Sequence, residues 1–358
     1  MNDIGLEIQP VDITIAGDWD AKAWDAFALR TGAAGHFHAY PWRNIIWRAL
    51  KHRPHYLIAR RQGVVTGLLP LFDVNSRLFG RSLISVPFLN GGGILAEDDV
   101  SAVALLRHAR DLVYKDGYRY AELRHRTAYP MIDDLVCRKH KVAMRLPLPD
   151  DPDHLFEGFK AKLRSQIRRP VKAGARAQVI NGQNVVGRDI DIFYQVFAEN
   201  MRDLGTPVFP KSLFRETIHA FGERAWLTIV WLDGHAAAAG LMVGFGETIE
   251  MVWASSLRDF NRLSVNMLLY WEALRTAIEQ GYRTFDFGRC TPDGPTFRFK
   301  AQWGAEPEKL HWYYLGDQQG IPDISPTNPR FHLAVRAWKT LPVPIANRIG
   351  PVIARSLP

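Results

Sequence analysis

A lysine set among aromatic side chains, and a carboxylate on the strand that precedes it, are the residues of this sequence best suited to chemistry. Both fall in the run Phe285-Asp-Phe-Gly-Arg-Cys-Thr-Pro-Asp-Gly-Pro-Thr-Phe-Arg-Phe-Lys-Ala-Gln-Trp-Gly304. A strand carrying Asp286 ends at Gly288, a Pro/Gly loop follows, and an aromatic and basic turn closes at Trp303-Gly304. Lys300 sits between Phe299 and Trp303, which shield part of its stem. An ammonium fixed in this way can stabilise an oxyanion as it develops at a carbonyl. The other reading is a surface lysine that lays its stem on the rings and keeps its charge in water. Asp286 can orient a basic group or simply pair with one.

The densest charge cluster runs from Phe159 to Arg176 and holds seven Lys/Arg and no acid. Such a strip offers cations to phosphates, which arginine can grip bidentately. A solvated helix face is the alternative. Pro170 is expected to end or kink this helix. Val86-Pro-Phe-Leu-Asn-Gly-Gly-Gly-Ile94 matches neither a Walker loop nor a dinucleotide fingerprint, which leaves a close backbone approach or a plain turn. Cys290 has no His or Asp beside it in sequence and reads as a buried inert thiol. His36-x-His38 and His52-x-x-His55 lack a third ligand, so no metal site is expected.

These residues sit on a plan that occurs twice. Leu105, Ala109, Gly117, Tyr118 and Arg119 correspond to Leu269, Ala273, Gly281, Tyr282 and Arg283, and Glu122 corresponds to Asp286. Each segment reads as an amphipathic helix, a glycine stop and a short strand. The first helix shows Ala102, Leu105, Leu106, Ala109, Leu112 and Val113 on one face, and the second shows Met267, Tyr270, Trp271, Leu274 and Ile278. Gly117 and Gly281 stand where a helix takes a left-handed residue. Upstream, Tyr56 to Gly63 and Trp226 to Gly234 are β-rich runs closing on turns, with Asp233-Gly234 a strong hairpin signal. The shared order predicts an α/β (α+β) chain with two mixed-sheet domains, 1–148 and 151–316, divided at Leu146-Pro-Leu-Pro-Asp-Asp-Pro152. A Pro-rich tail, 317–358, includes an amphipathic stretch from Phe331 to Leu341. That stretch either packs on the body or makes a peripheral membrane contact.

Composition sets the bounds. The chain has 358 residues, 47% hydrophobic and 23% charged, with a net charge of +8 and two cysteines. This excludes a disordered, collagenous or disulfide-framed protein. The positive balance favours anionic partners. The N-terminus has no secretory pattern and no apolar stretch reaches membrane length, so a cytoplasmic location is expected, with contact to the inner face of the membrane through the tail.

With these motifs in hand, the sequence over about residues 35–316 resembles the Fem-type (FemAB/FemX) aminoacyltransferases, whose fold is two tandem GNAT-like domains. The resemblance rests on Leu163-Arg-Ser-Gln-Ile-Arg-Arg-Pro-x-x-x-Gly174, on Ser264-x-Asn266-x-Leu-Leu-Tyr-Trp271, and on Asp286-Phe-Gly288 through Phe299-Lys300-x-x-Trp-Gly304. Pro-Phe-x-Asn-Gly-Gly and Glu122-Leu-Arg124 resemble the Fem-like proteins of exosortase/PEP-CTERM exopolysaccharide systems. The resemblance implies transfer of an amino acid from aminoacyl-tRNA to an amine on a cell-wall or exopolysaccharide precursor. Lys300 would stabilise charge at the ester and Phe299 would pack beside it. Trp253 and Ser255 would line the transfer channel, and Asn266 would join the substrate-binding set. Arg164, Arg168 and Arg169 would meet an anionic substrate. Members that use nucleotide-linked precursors carry a Lys after the residue matching Trp42 and an Arg before the one matching Pro210. Here Arg43 alone can substitute for the first, and Phe209 replaces the second, which points to a lipid-linked or polysaccharide amine instead. No side chain is a convincing general base; Asp286, Glu250 and the substrate itself are the candidates. Two further readings stand beside this one. The first is an acyl-CoA-dependent N-acyltransferase, although Arg258 to Ser264 lacks the glycines of a CoA loop. The second is a non-catalytic RNA or polysaccharide-assembly binding protein.

Overall fold

Turn chemistry and helix caps place the elements in register with the sequence. The computed structural model describes residues 10–76, 79–129, 135–317, 321 and 331–357. The first half runs β1 (Asp12–Ile15), α1 (Ala21–Arg30), α2 (Trp42–Leu50), β2 (Arg53–Arg61), β3 (Val64–Ser76), β4 (Gly80–Ser85), β5 (Leu95–Ala96), α3 (Asp99–Lys115), β6 (Tyr120–His125), β7 (Val136–Arg138) and β8 (Val142–Pro147). The second runs α4 (Pro152–Gly158), α5 (Ala161–Lys172), β9 (Arg176–Asn181), α6 (Gly187–Leu204), α7 (Lys211–Phe221), β10 (Ala225–Leu232), β11 (His235–Phe245), β12 (Thr248–Ser256), α8 (Val265–Glu279), β13 (Thr284–Cys290), α9 (Pro295–Ala301), β14 (Glu306–Lys309) and β15 (His311–Gly316). Two tail helices follow, α10 (His332–Lys339) and α11 (Val343–Arg355).

The two hairpins turn on Gln62-Gly63 and Asp233-Gly234. All four residues have positive φ, the conformation that matches the twist of paired strands. The side chain of Asp98 accepts a hydrogen bond from the Ser101 N–H and caps α3. Gly117 (φ 73°) and Gly281 (φ 79°) follow α3 and α8 in the left-handed region, as their positions predict. Pro170 does not end α5. It lies buried in the last turn, and the helix continues to Lys172.

The strands form two mixed sheets. The first has the order β1-β2-β3-β4-β6-β15-β7, with β5 beside β3; the second has the order β14-β8-β13-β12-β11-β10-β9. Each half therefore gives its last strand to the other. β8 pairs antiparallel with β13, and β15 pairs antiparallel with β6. The break near 148 expected from the linker does not divide the sheets, since β8 before it pairs into the second sheet and β15 after it pairs into the first. The halves also share a core. Trp42 on α2 packs on Phe221 (5.4 Å between ring centres) and on Trp253 (6.3 Å), and Phe214 meets Trp253 edge-on at 5.0 Å.

The glycine run 91–93 approaches side chains closely. A Cβ on Gly91 would lie 2.4 Å from the Phe37 ring, and one on Gly93 would lie 2.5 Å from His125. These glycines let the loop lie against β6, where the Gly93 N–H donates to the Arg124 carbonyl at 2.8 Å. In this half the loop thus covers the end of the strand that follows the helix.

Candidate active site

In the second half two parallel strands part at the corresponding place. β12 and β13 run parallel and pair at Thr248–Thr284, Ile249–Phe285 and Glu250–Asp286. Beyond that pair β12 continues to Ser256 and β13 to Cys290 without pairing to each other, so the two strands part. Gly288 takes φ 74° just past the parting, where the pairing of β13 with β8 also shifts register. Polar groups of two parallel strands are freed at such a fork.

Two buried carboxylates stand side by side at its base, Glu250 (2% exposed) and Asp286 (1%). Glu250 Oε2 lies 3.0 Å from His36 Nε2, and Oε1 accepts from Asn90 Nδ2 at 2.7 Å. Asp286 Oδ2 accepts from Arg126 Nη2 at 2.8 Å, and Oδ1 accepts from the Gly288 N–H at 2.7 Å. Arg126 also reaches Glu308, which Arg145 holds at 3.1 Å. The surroundings drive the two acids apart. Burial pushes Glu250 up, but His36, Arg126 and Asn90 outweigh it and hold the carboxyl below the usual range. Burial raises Asp286, the Glu250 charge adds to this, and Arg126 opposes it only in part. Glu250 is the member that stays ionised, and Asp286 is the one that takes a proton more readily.

Lys300, on α9, reaches the carbonyls of β13 past the parting. It is only 4% exposed, which settles the choice against a surface lysine. Its Nζ donates to the carbonyls of Gly288 (2.9 Å) and Arg289 (3.0 Å), leaving one ammonium proton for another acceptor. Burial pulls its pKa below the usual lysine range, with Cys290, Asp286 and Glu250 working against that. Phe299 packs edge-on against Tyr270 at 5.0 Å, in an aromatic wall that includes Phe287 and Trp303.

The other expected residues lie elsewhere. Trp253 is in the core shared by the halves, and Ser255 Oγ accepts from Asn200 Nδ2 at 3.0 Å. Both sit on β12 past the fork. Asn266 is half-buried on the first turn of α8. Arg164, Arg168 and Arg169 line a groove of about 340 Å³ with Lys172, separate from the fork. Arg164 Nη1 donates to the Glu157 carbonyl, and Arg168 lies over the Phe156 ring. Arg43 is committed to Asp18 at 2.8 Å. The sequence reading missed His36, Asn90 and Arg126 as partners of the carboxylates. The motif Pro-Phe-x-Asn-Gly-Gly contains Asn90, but nothing local ties it to Glu250.

Two cavities lie nearby, though neither is lined by Lys300, Asp286 or Glu250. One, of about 580 Å³, lies between the halves, and Arg126, Arg145, Tyr129, Glu308 and His311 are in its wall. The other, of about 640 Å³, is lined by α4, α5 and the residues after Lys300, among them Phe159, Lys162, Gln166 and Trp303.

The junction near the first cavity carries neutral histidines. His38 Nδ1 faces the Gly35 N–H at 3.3 Å and Nε2 faces the Gly93 carbonyl at 3.0 Å, and burial pulls its pKa to about 4. His125 accepts from the Ile94 N–H, and burial pulls it to about 3; away from this cavity, beside Phe88, burial pulls His52 to about 4. The unfolded chain takes these protons near 6.5 and the folded chain resists them. Their contribution to stability is therefore intact above that value and is lost as pH falls toward 4. The urea midpoint is expected to drop steadily from neutral pH to about pH 4. A flat midpoint over that window would contradict the burial of these rings.

Two mixed sheets, each with a helix between its parallel pair of strands, define the chain as two GNAT-like domains in tandem. The comparisons agree. Residues 160–309 match the family model of an acetyltransferase (GNAT) domain, so this part of the chain is an acyltransferase-type domain. Among solved structures, FemX superposes with a TM-score of 0.66 at 14% identity, over 90% of this chain and 100% of that one. A tandem GNAT protein from the clavulanic acid biosynthesis pathway gives 0.55 at 16%, over 85% and 97%. L-PGS from Bacillus licheniformis gives 0.56 at 12%, over 90% and 98%. At these identities the likeness is one of fold. No curated protein matches the sequence.

Proposed function

We propose that the protein transfers an acyl group, an aminoacyl group in particular, from an activated ester to an amine. The observation that carries this reading is the buried Lys300 ammonium, held on two strand carbonyls at the fork beside Glu250 and Asp286. The neutral amine attacks the ester carbonyl, and the C=O electron pair moves to oxygen. The remaining proton of Lys300, with strand N–H groups, stabilises that oxyanion. Asp286, the acid of the pair that binds a proton more readily, takes the proton from the attacking nitrogen. Collapse of the intermediate breaks the ester C–O bond, and the departing oxygen receives the proton from Asp286.

The motif resemblance and the cationic groove of α5 favour aminoacyl-tRNA as donor. The acceptor is an amine on an anionic cell-envelope or exopolysaccharide precursor. Its anionic part fits the cavity between the halves, since Arg126 belongs both to that wall and to Asp286. The acetyltransferase-type domain supports a second reading, with acyl-CoA as donor. Against it, residues Arg258–Leu263 form a tight 3-10 turn before α8, with none of the glycines a CoA pyrophosphate loop uses. Isothermal titration separates the two. Binding of charged tRNA but not uncharged tRNA or acetyl-CoA supports the first. Saturable binding of acetyl-CoA alone replaces it with the second, and binding of any RNA regardless of its ester leaves a non-catalytic binder.

A further inference from the structure

We propose that the two tail helices form a docking surface for an anionic lipid bilayer, a role separate from the transfer reaction. The helices are seated firmly on the body. The inner face of α11 is Ala346, Gly350 and Ala354, and a Cβ on Gly350 would lie 3.0 Å from the Val208 backbone. On α10, Trp338 is buried, and a Cβ on Gly205 would lie 2.5 Å from Val335. Arg202 Nη1 donates to the Leu341 carbonyl at 3.1 Å and pins the turn between them. The outer face stays uncovered.

That outer face is apolar. With about 3.6 residues per turn, Ile345, Ile349, Val352 and Ile353 share one side of α11, away from the seat, and all four are exposed, Val352 at 69%. Arg348 and Arg355 run along one flank of the stripe. On α10, Leu333 is 82% exposed with Arg336 one turn on. Leu204, at the end of α6, is exposed as well. From Phe331 to Leu357 there are four Lys/Arg and no acid.

Charge selects the occupant. A second copy of the same face would set cations against cations, whereas a surface of anionic headgroups pairs with them and takes the aliphatic stripe into its acyl boundary. Among the described residues no helix is long and apolar enough to cross a membrane, so the contact lies in the plane of the interface.

The test is co-sedimentation of the full chain with vesicles of phosphatidylglycerol in phosphatidylcholine and of phosphatidylcholine alone. Binding to the anionic vesicles, weakened by salt, is expected. The pair Ile349→Asp and Val352→Asp should lower it at least about tenfold. The pair Arg348→Gln and Arg355→Gln should remove the preference for the anionic lipid. Because these four side chains are exposed, the melting temperature should not move. Failure to bind anionic vesicles, or variants that bind as the parent does, would overturn the proposal. So would a dimer in sedimentation equilibrium that the aspartate pair abolishes, since the face would then belong to a second copy.

Discussion

Lys300→Met lowers turnover by about two to three orders of magnitude while the chain remains folded. A preorganised donor aimed at a developing oxyanion has that size of effect, and two of the lysine's three protons are already fixed on carbonyls. Methionine keeps the stem in the aromatic wall and removes the charge. It leaves the Gly288 and Arg289 carbonyls without their donor, at a cost of about 1 kcal/mol each if water does not replace it. Loss of a buried ammonium works the other way, so the melting temperature should move little. The effect should appear in turnover more than in substrate binding, because the oxyanion exists only past the ground state. The pH profile gives a second check. Lys300 must carry its proton to act, and its pKa lies below the usual lysine range, so activity should fall on the alkaline side earlier than for an ordinary lysine. A Lys300→Met enzyme with parental turnover and an unchanged alkaline limb would remove the lysine from the mechanism.

The second large effect falls on stability. Arg126→Met should cost about 3–5 kcal/mol, because it strands a buried carboxylate. Arg126 is the cation in hydrogen-bond contact with Asp286, and Glu250 lies paired beside it with its own charge. The loss should depend on pH in a set direction. The folded-state pKa of Asp286 is already raised, and without Arg126 it rises further. The variant is therefore penalised little where Asp286 is protonated. The penalty relative to the parent grows as pH climbs from the parent's raised value toward the variant's still higher one. Adding Asp286→Asn removes the stranded charge, so the double variant should recover most of the melting temperature lost by the single one. If the double variant is no more stable than Arg126→Met, the coupling read from the 2.8 Å contact is absent.

Local signals carried the fold a long way. The positive-φ turns at Asp233-Gly234, the glycines after α3 and α8, and the buried face of α3 are all decided by neighbours within a few residues. Lys300 and Asp286 stand out in one run of sequence, but the cation that meets Asp286 is Arg126, far from it in the chain. The rest depends on partners far along the chain. His36 meets Glu250 across 214 positions and Asn90 meets it across 160, and each of these residue types has a local explanation of its own. His36 reads in sequence as half of a histidine pair, yet in the fold His36 and His38 turn to different partners. Trp253 and Ser255 follow Glu250 on one strand, but a register shift between β11 and β12 and packing from α6 and α7 place them in the core. Periodicity cannot reveal which sheet a strand enters, so the destinations of β8 and β15 were hidden.

The traded strands also set an order in time. As the ribosome delivers the chain, the N-terminal sheet waits with the far side of β6 unpaired until His311–Gly316 emerges, long after its other members. β8, made early, must in turn wait for β13 before it has a neighbour on either side. The first sheet is completed only when its last strand is made, so the junction that holds Arg126 against Asp286 forms late, on a nearly finished polypeptide.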